Sequence, residues 1–100
     1  MNTKEIHSVL DSYKFKNYRT STSLEGLEVE VLLNDVQYDT YLEKKSNIEF
    51  LLVKAEMNAR LAKRGTIFTS HKLSIRENGK TLFVKGSSLE ILYLLKLLFA

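Results

Sequence analysis

"TIFTSHKLSIRENGKTLFVKG", residues 66 to 86, sets two alternating runs on either side of Asn78-Gly79. That pattern is the strongest short-range signal for a β-hairpin closed by a two-residue turn with both central residues at positive φ. The register follows from it. Glu77 faces Lys80, Arg76 faces Thr81, Ile75 faces Leu82, Ser74 faces Phe83, Leu73 faces Val84 and Lys72 faces Lys85. Side chains alternate across a strand, so Leu73, Ile75, Leu82 and Val84 share a face to be buried. Lys72, Ser74, Arg76, Thr81, Phe83 and Lys85 share the other.

Upstream, "YRTSTSLEGLEVEVLL" (18 to 33) alternates Leu27, Val29, Val31 and Leu33 with Glu28, Glu30 and Leu32, and Gly26 supplies a residue tolerant of positive φ. It predicts a first hairpin over 18 to 33. Before it, Ile6, Val9, Leu10 and Tyr13 recur at helical spacing behind an Asn2–Glu5 capping box, which predicts a helix over 3 to 13. Between the hairpins, Asn34 and Gln37 form a second box. Tyr38, Tyr41, Ile48, Leu52, Ala55, Ala59 and Ala62 then step by threes and fours toward Gly65, with only Lys45 interrupting the series, which predicts a long helix over 35 to 64. The alternative is a strand through "VQYDTYL" with a helix beginning at Ser46, capped by Ser46 and Glu49; whether residues 36 to 45 are helix or strand stays open.

After the second hairpin, Ser87 and Glu90 make another box, and residues 88 to 99 are apolar almost all round except for Lys96. At roughly 18 Å this helix is too short to span a bilayer. Its surplus apolar surface needs either the sheet of the same chain or a second copy, and Leu92 and Leu95 are the candidate homodimer contacts. The expected fold is α+β: one domain, residues 1 to 100, in the order α-ββ-α-ββ-α, an antiparallel sheet packed against a long central helix. Gly26 and Gly79, each followed by a strand, a capped start and a helix, suggest a duplicated ββα unit.

One hundred residues with 44% hydrophobic composition suffice for one core. With no cysteine, disulfides, thiolate metal sites and cysteine nucleophiles are excluded. Residues 1 to 20 hold no apolar run fit for a signal peptide, so a soluble, cytoplasmic, unprocessed chain with no membrane contact is expected. Net charge is +3, but residues 1 to 50 carry six Lys/Arg against nine Asp/Glu (−3) while residues 51 to 100 carry nine against three (+6). A basic second half points to an anionic partner.

The outer face of the second hairpin gathers Lys72, Arg76 and Lys85 around Phe83. Cations for phosphates beside a ring that can stack on a base are what DNA or RNA asks of a surface. Arg60, Lys63 and Arg64 at the end of the long helix extend the set. The competing reading is structural: cations complement a helix C-terminus and edge-strand lysines discourage aggregation. In "YKFKNYR" (13 to 19), Tyr13, Phe15 and Tyr18 are expected to close the core while Lys14, Lys16 and Arg19 stay in water. Catalytic inventory is thin. His7 and Asp11, one helical turn apart, are only two possible ligands where a zinc site needs three or four; His71 reads as a core histidine; Asp35, Asp39 and Glu43 read as an acidic helix start. There is no phosphate-binding glycine loop and no serine elbow. No enzyme, cofactor or metal is expected.

"KTLFVKG" (80 to 86) resembles the second ribonucleoprotein signature of RNA-recognition motifs, but that fold needs a further helix and strands, and only fourteen residues follow Gly86. The order of elements, with Asn78-Gly79, a five-residue strand, Lys85, Ser88 and Glu90, resembles the double-wing DNA-binding domain of T4-like phage middle-promoter activators over residues 66 to 98. The resemblance implies DNA binding by hairpin wings, and the chain departs from it in placing Glu28 and Glu30 on the exposed face of the first hairpin. The expected function is therefore a small non-enzymatic regulatory protein that binds nucleic acid through its second hairpin. The alternative is a phage or mobile-element type inhibitor or adaptor that binds a partner protein instead.

Overall fold

A computed structural model describes residues 3 to 24, 26 to 62 and 72 to 100. Its elements are α1 (Thr3–Ser12), β1 (Asn17–Ser23), β2 (Gly26–Leu32), α2 (Asp35–Lys44), a 3-10 turn (Lys45–Asn47), α3 (Ile48–Ala62), β3 (Ser74–Asn78), β4 (Thr81–Gly86) and α4 (Ser88–Phe99). The order α-ββ-α-ββ-α holds, and residues 36 to 45 are helical. Lys44, Lys45 and Ile48 all keep right-handed helical dihedrals, so the chain tightens through the 3-10 turn without leaving the helix, and Ser46 opens no new one. Asn2, Lys63, Arg64, Gly65 and His71 lie outside the described residues.

The two hairpins form one antiparallel sheet in the order β1-β2-β4-β3. Strict alternation placed β2 and β4 at the centre: Leu27, Val29 and Val31 on one and Leu82 and Val84 on the other are buried on one face. The serine- and threonine-rich β1 and the polar β3 form the edges, where fewer side chains must be buried. Each central strand runs into its helix through a capping box. Asn34 Oδ1 accepts from the Gln37 N–H at 2.8 Å while Gln37 Oε1 accepts from the Asn34 N–H at 2.9 Å. Gln37 also donates from Nε2 to the Tyr13 carbonyl at 2.5 Å, which satisfies its buried amide. Ser87 and Glu90 repeat the box ahead of α4.

The helices cover one face of the sheet. α4 lies against β2 and β4, with α3 along its other side and α1 and α2 beside it. This explains why α4 is apolar almost all round: Ile91, Leu94, Leu95 and Leu98 are buried within a single chain, and of its residues only Lys96 is exposed. Lys44 clamps the end of α4, its Nζ donating to the Leu97 and Leu98 carbonyls at 2.8 and 3.0 Å.

The second hairpin differs from expectation in register. Ile75 pairs with Val84, not Leu82; Glu77 pairs with Leu82, Arg76 with Phe83 and Ser74 with Lys85, around a Gly79-Lys80 loop. Positive φ occurs at Gly79 (61°) and not at Asn78 or Lys80, which is the pattern of a type II′ turn rather than the type I′ turn expected of Asn-Gly. The shift is by two, so every side chain keeps its face. Tertiary contacts to the loop account for it. Lys80 Nζ donates to Asp35 at 2.7 Å, the Leu33 N–H donates to the Lys80 carbonyl at 2.9 Å, and Glu77 on the helix side pairs with Lys45. At the other end the new register brings Leu73 against Gly86, where an added Cβ would stand 3.2 Å from the Leu73 Cα.

Candidate nucleic-acid interface

The sheet's second face carries no helix among the described residues, and its side chains form rows across the four strands. One row runs Arg19, Glu30, Phe83, Arg76 from β1 to β3; the next runs Ser21, Glu28, Lys85, Ser74; a third ends in Leu32, Thr81 and Asn78. None of these side chains is buried. Phe83 thus sits on the second face of a central strand, and no described helix lies over it. The Arg76 guanidinium lies 4.2 Å from its ring centroid, a cation–π contact that holds a planar cation and a ring together.

Of the predicted contacts, the structure unites Arg76, Phe83 and Lys85, with Lys72 exposed just ahead of β3. It separates Arg60, which is exposed on α3 within the helix layer. Lys63 and Arg64 are not described. Leu92 and Leu95, the expected dimer contacts, are 9% and 0% exposed within one chain, so both already serve its core.

Pairing of β2 with β4 adds an acidic component. Glu30 and Glu28 stand directly beside Phe83 and Lys85, and Arg19 donates to Glu30 at 3.2 Å. Across the three rows, three cations meet two carboxylates. A shallow hollow between β1 and β2 is lined by Arg19, Ser21, Glu28 and Glu30, which makes that half of the face hostile to phosphate. The basic half is the β4–β3 side. Adjacency of the two halves was the missed feature; its signal was the alternation shared by β2 and β4, which marks both as central strands and hence as candidates to pair.

Several other polar groups are taken up structurally. His7 Nε2 meets the Thr20 hydroxyl at 2.9 Å, and the Tyr18 hydroxyl donates to Asp11 at 2.5 Å, a bond that raises the Tyr18 pKa above its usual value. Asp35 is held below the usual 3.8 by the hydrogen bond and charge of Lys80. Tyr13, Phe15 and Tyr18 pack on the core while Lys14, Lys16 and Arg19 are exposed, as their interleaving implied. No group of three His, Asp or Glu side chains gathers to hold a metal ion among the described residues, and no described helix is long and apolar enough to cross a membrane. No family model, curated protein or solved structure matches the chain.

Proposed function

We propose that the chain is a non-enzymatic regulatory protein that binds unpaired nucleic acid on the β4–β3 half of its open sheet face. The observation that carries this reading is Phe83 on the open face with the Arg76 guanidinium over it. Bases stack on aromatic rings and on guanidinium planes alike, and an antiparallel sheet face presents such a platform without groove geometry. Lys72 and Lys85 flank the platform as phosphate contacts. Glu28 and Glu30 confine the ligand to one half, so the footprint is a few nucleotides and discrimination between sequences is weak.

Titration of labelled single-stranded DNA, single-stranded RNA and duplex at several salt concentrations tests it. With about three cations engaged, the slope of log K against log salt is about −2 for single strands. Phe83→Ala weakens binding by on the order of 1 to 3 kcal/mol and leaves the slope nearly unchanged. Lys72→Ala lowers the slope by about one unit across all sequences. Absence of binding to every nucleic acid at low salt removes this reading. The adaptor reading then takes its place.

A further inference from the structure

Phe50, Val53, Met57 and Leu61 are 65%, 53%, 56% and 61% exposed. They follow one another at steps of three, four and four, so they form a single stripe along α3. The stripe lies on the side of the helix opposite Ala55 and Ala59, which are fully buried. It therefore points away from α4 and from the sheet. Four large apolar side chains in line make a patch on the order of several hundred Å², which soluble monomers rarely leave uncovered.

The flanks of the stripe identify what covers it. At 100° per residue Glu49 and Arg60 fall on the same flank, eleven positions apart, and Lys54 falls on the other. In an antiparallel pair of identical helices each flank meets its own counterpart. Phe50 then faces the second copy's Leu61, Val53 faces its Met57, and Glu49 and Arg60 form two symmetry-related ion pairs. A parallel pair would match Glu49 with Lys54 but set like ends of the helix dipoles side by side, whereas the antiparallel pair opposes them. Lys54 near the twofold axis adds one repulsion against two attractions.

We infer that α3 is a homodimer interface, formed by antiparallel packing of this stripe against a second copy of the chain. The pairing buries the helix layers and leaves both open sheet faces outward, so it does not rest on the nucleic-acid reading.

Sedimentation velocity from low to high micromolar concentration tests it on the intact chain. The expected result is a concentration-dependent rise to twice the chain mass. Met57→Asp, at a position open to solvent in the single chain, abolishes the rise while circular dichroism stays unchanged; Leu24→Asp on the first hairpin's fully exposed tip leaves it intact. Glu49→Lys weakens the dimer about tenfold, as two exposed ion pairs turn repulsive, and Glu49→Lys with Arg60→Glu restores it. A monomer mass at every concentration, or a dimer indifferent to Met57→Asp, overturns the inference. Rescue of Glu49→Lys by Lys54→Glu and not by Arg60→Glu overturns the antiparallel arrangement.

Discussion

Gly86→Ala should destabilise the fold, and by an amount that reports on the hairpin register. A Cβ at this position would stand 3.0 Å from Leu73 Cδ1 and 3.2 Å from Leu73 Cα. The first contact can be relieved by a rotamer change; the second belongs to the backbone just ahead of β3, which must give by a few tenths of an ångström. Overpacking of this kind costs about 1 to 3 kcal/mol, and the lower chain entropy of alanine in the unfolded state returns about 0.4 to 1 kcal/mol. The net loss is thus about 0 to 2.5 kcal/mol, or up to roughly 20 °C in Tm for a domain of this size. Thermal unfolding followed by circular dichroism reads it directly. Leu73→Ala alone opens a cavity at a buried site and costs about 2 to 5 kcal/mol, but it removes the Cδ1 contact. In that background the added cost of Gly86→Ala should therefore shrink by about 0.5 kcal/mol or more. A Tm that rises with Gly86→Ala, or an equal cost in both backgrounds, would refute the register and with it the placement of Arg76 opposite Phe83.

Two further outcomes follow from contacts between layers. Asp35 titrates below its usual 3.8 because of Lys80, so the clamp between the hairpin loop and α2 is present above that pH and is lost as pH falls through the folded-state value. The Tm difference between wild type and Asp35→Asn should accordingly be largest near neutrality and vanish in acid, as a series of melts at decreasing pH would record. Lys44→Met should cost about 1 kcal/mol and lower Tm by roughly 4 to 8 °C, because the last carbonyls of α4 lose their donor.

Much of this architecture could be read from alternation and capping alone. Asn34 with Gln37 and Ser87 with Glu90 fixed two helix starts because both boxes are local chemistry, complete within four residues. Faces of the strands were legible for the same reason: Val29, Val31, Leu82 and Val84 can be buried together in only one way. The register of the second hairpin was not, because Asn-Gly favours one turn locally while Asp35, Leu33 and Lys45, distant in sequence, hold Lys80 and Glu77 in another. Tertiary contacts to the loop outweighed its intrinsic preference. The burial of Leu92 and Leu95 within the single chain was missed by a related omission. Leu92 and Leu95 read as surplus on an all-apolar helix, but α3 packs on that side of α4, and the apolar side chains left outside belong to α3 itself. For the candidate interface, composition marked the basic arm, whereas its acidic neighbours came only from the pairing of β2 with β4.

Stacking of an unpaired base at Phe83, as proposed, is read out by Phe83→Trp. The chain contains no tryptophan, so the substituted indole is the sole such fluorophore and stands on the open sheet face at the point of contact. Single-stranded oligonucleotides should quench its emission saturably at low salt, with a midpoint that moves to higher concentration as salt is added and with duplex far less effective. Emission unchanged by any oligonucleotide at low salt, in a variant whose circular dichroism matches the wild type, would contradict the account.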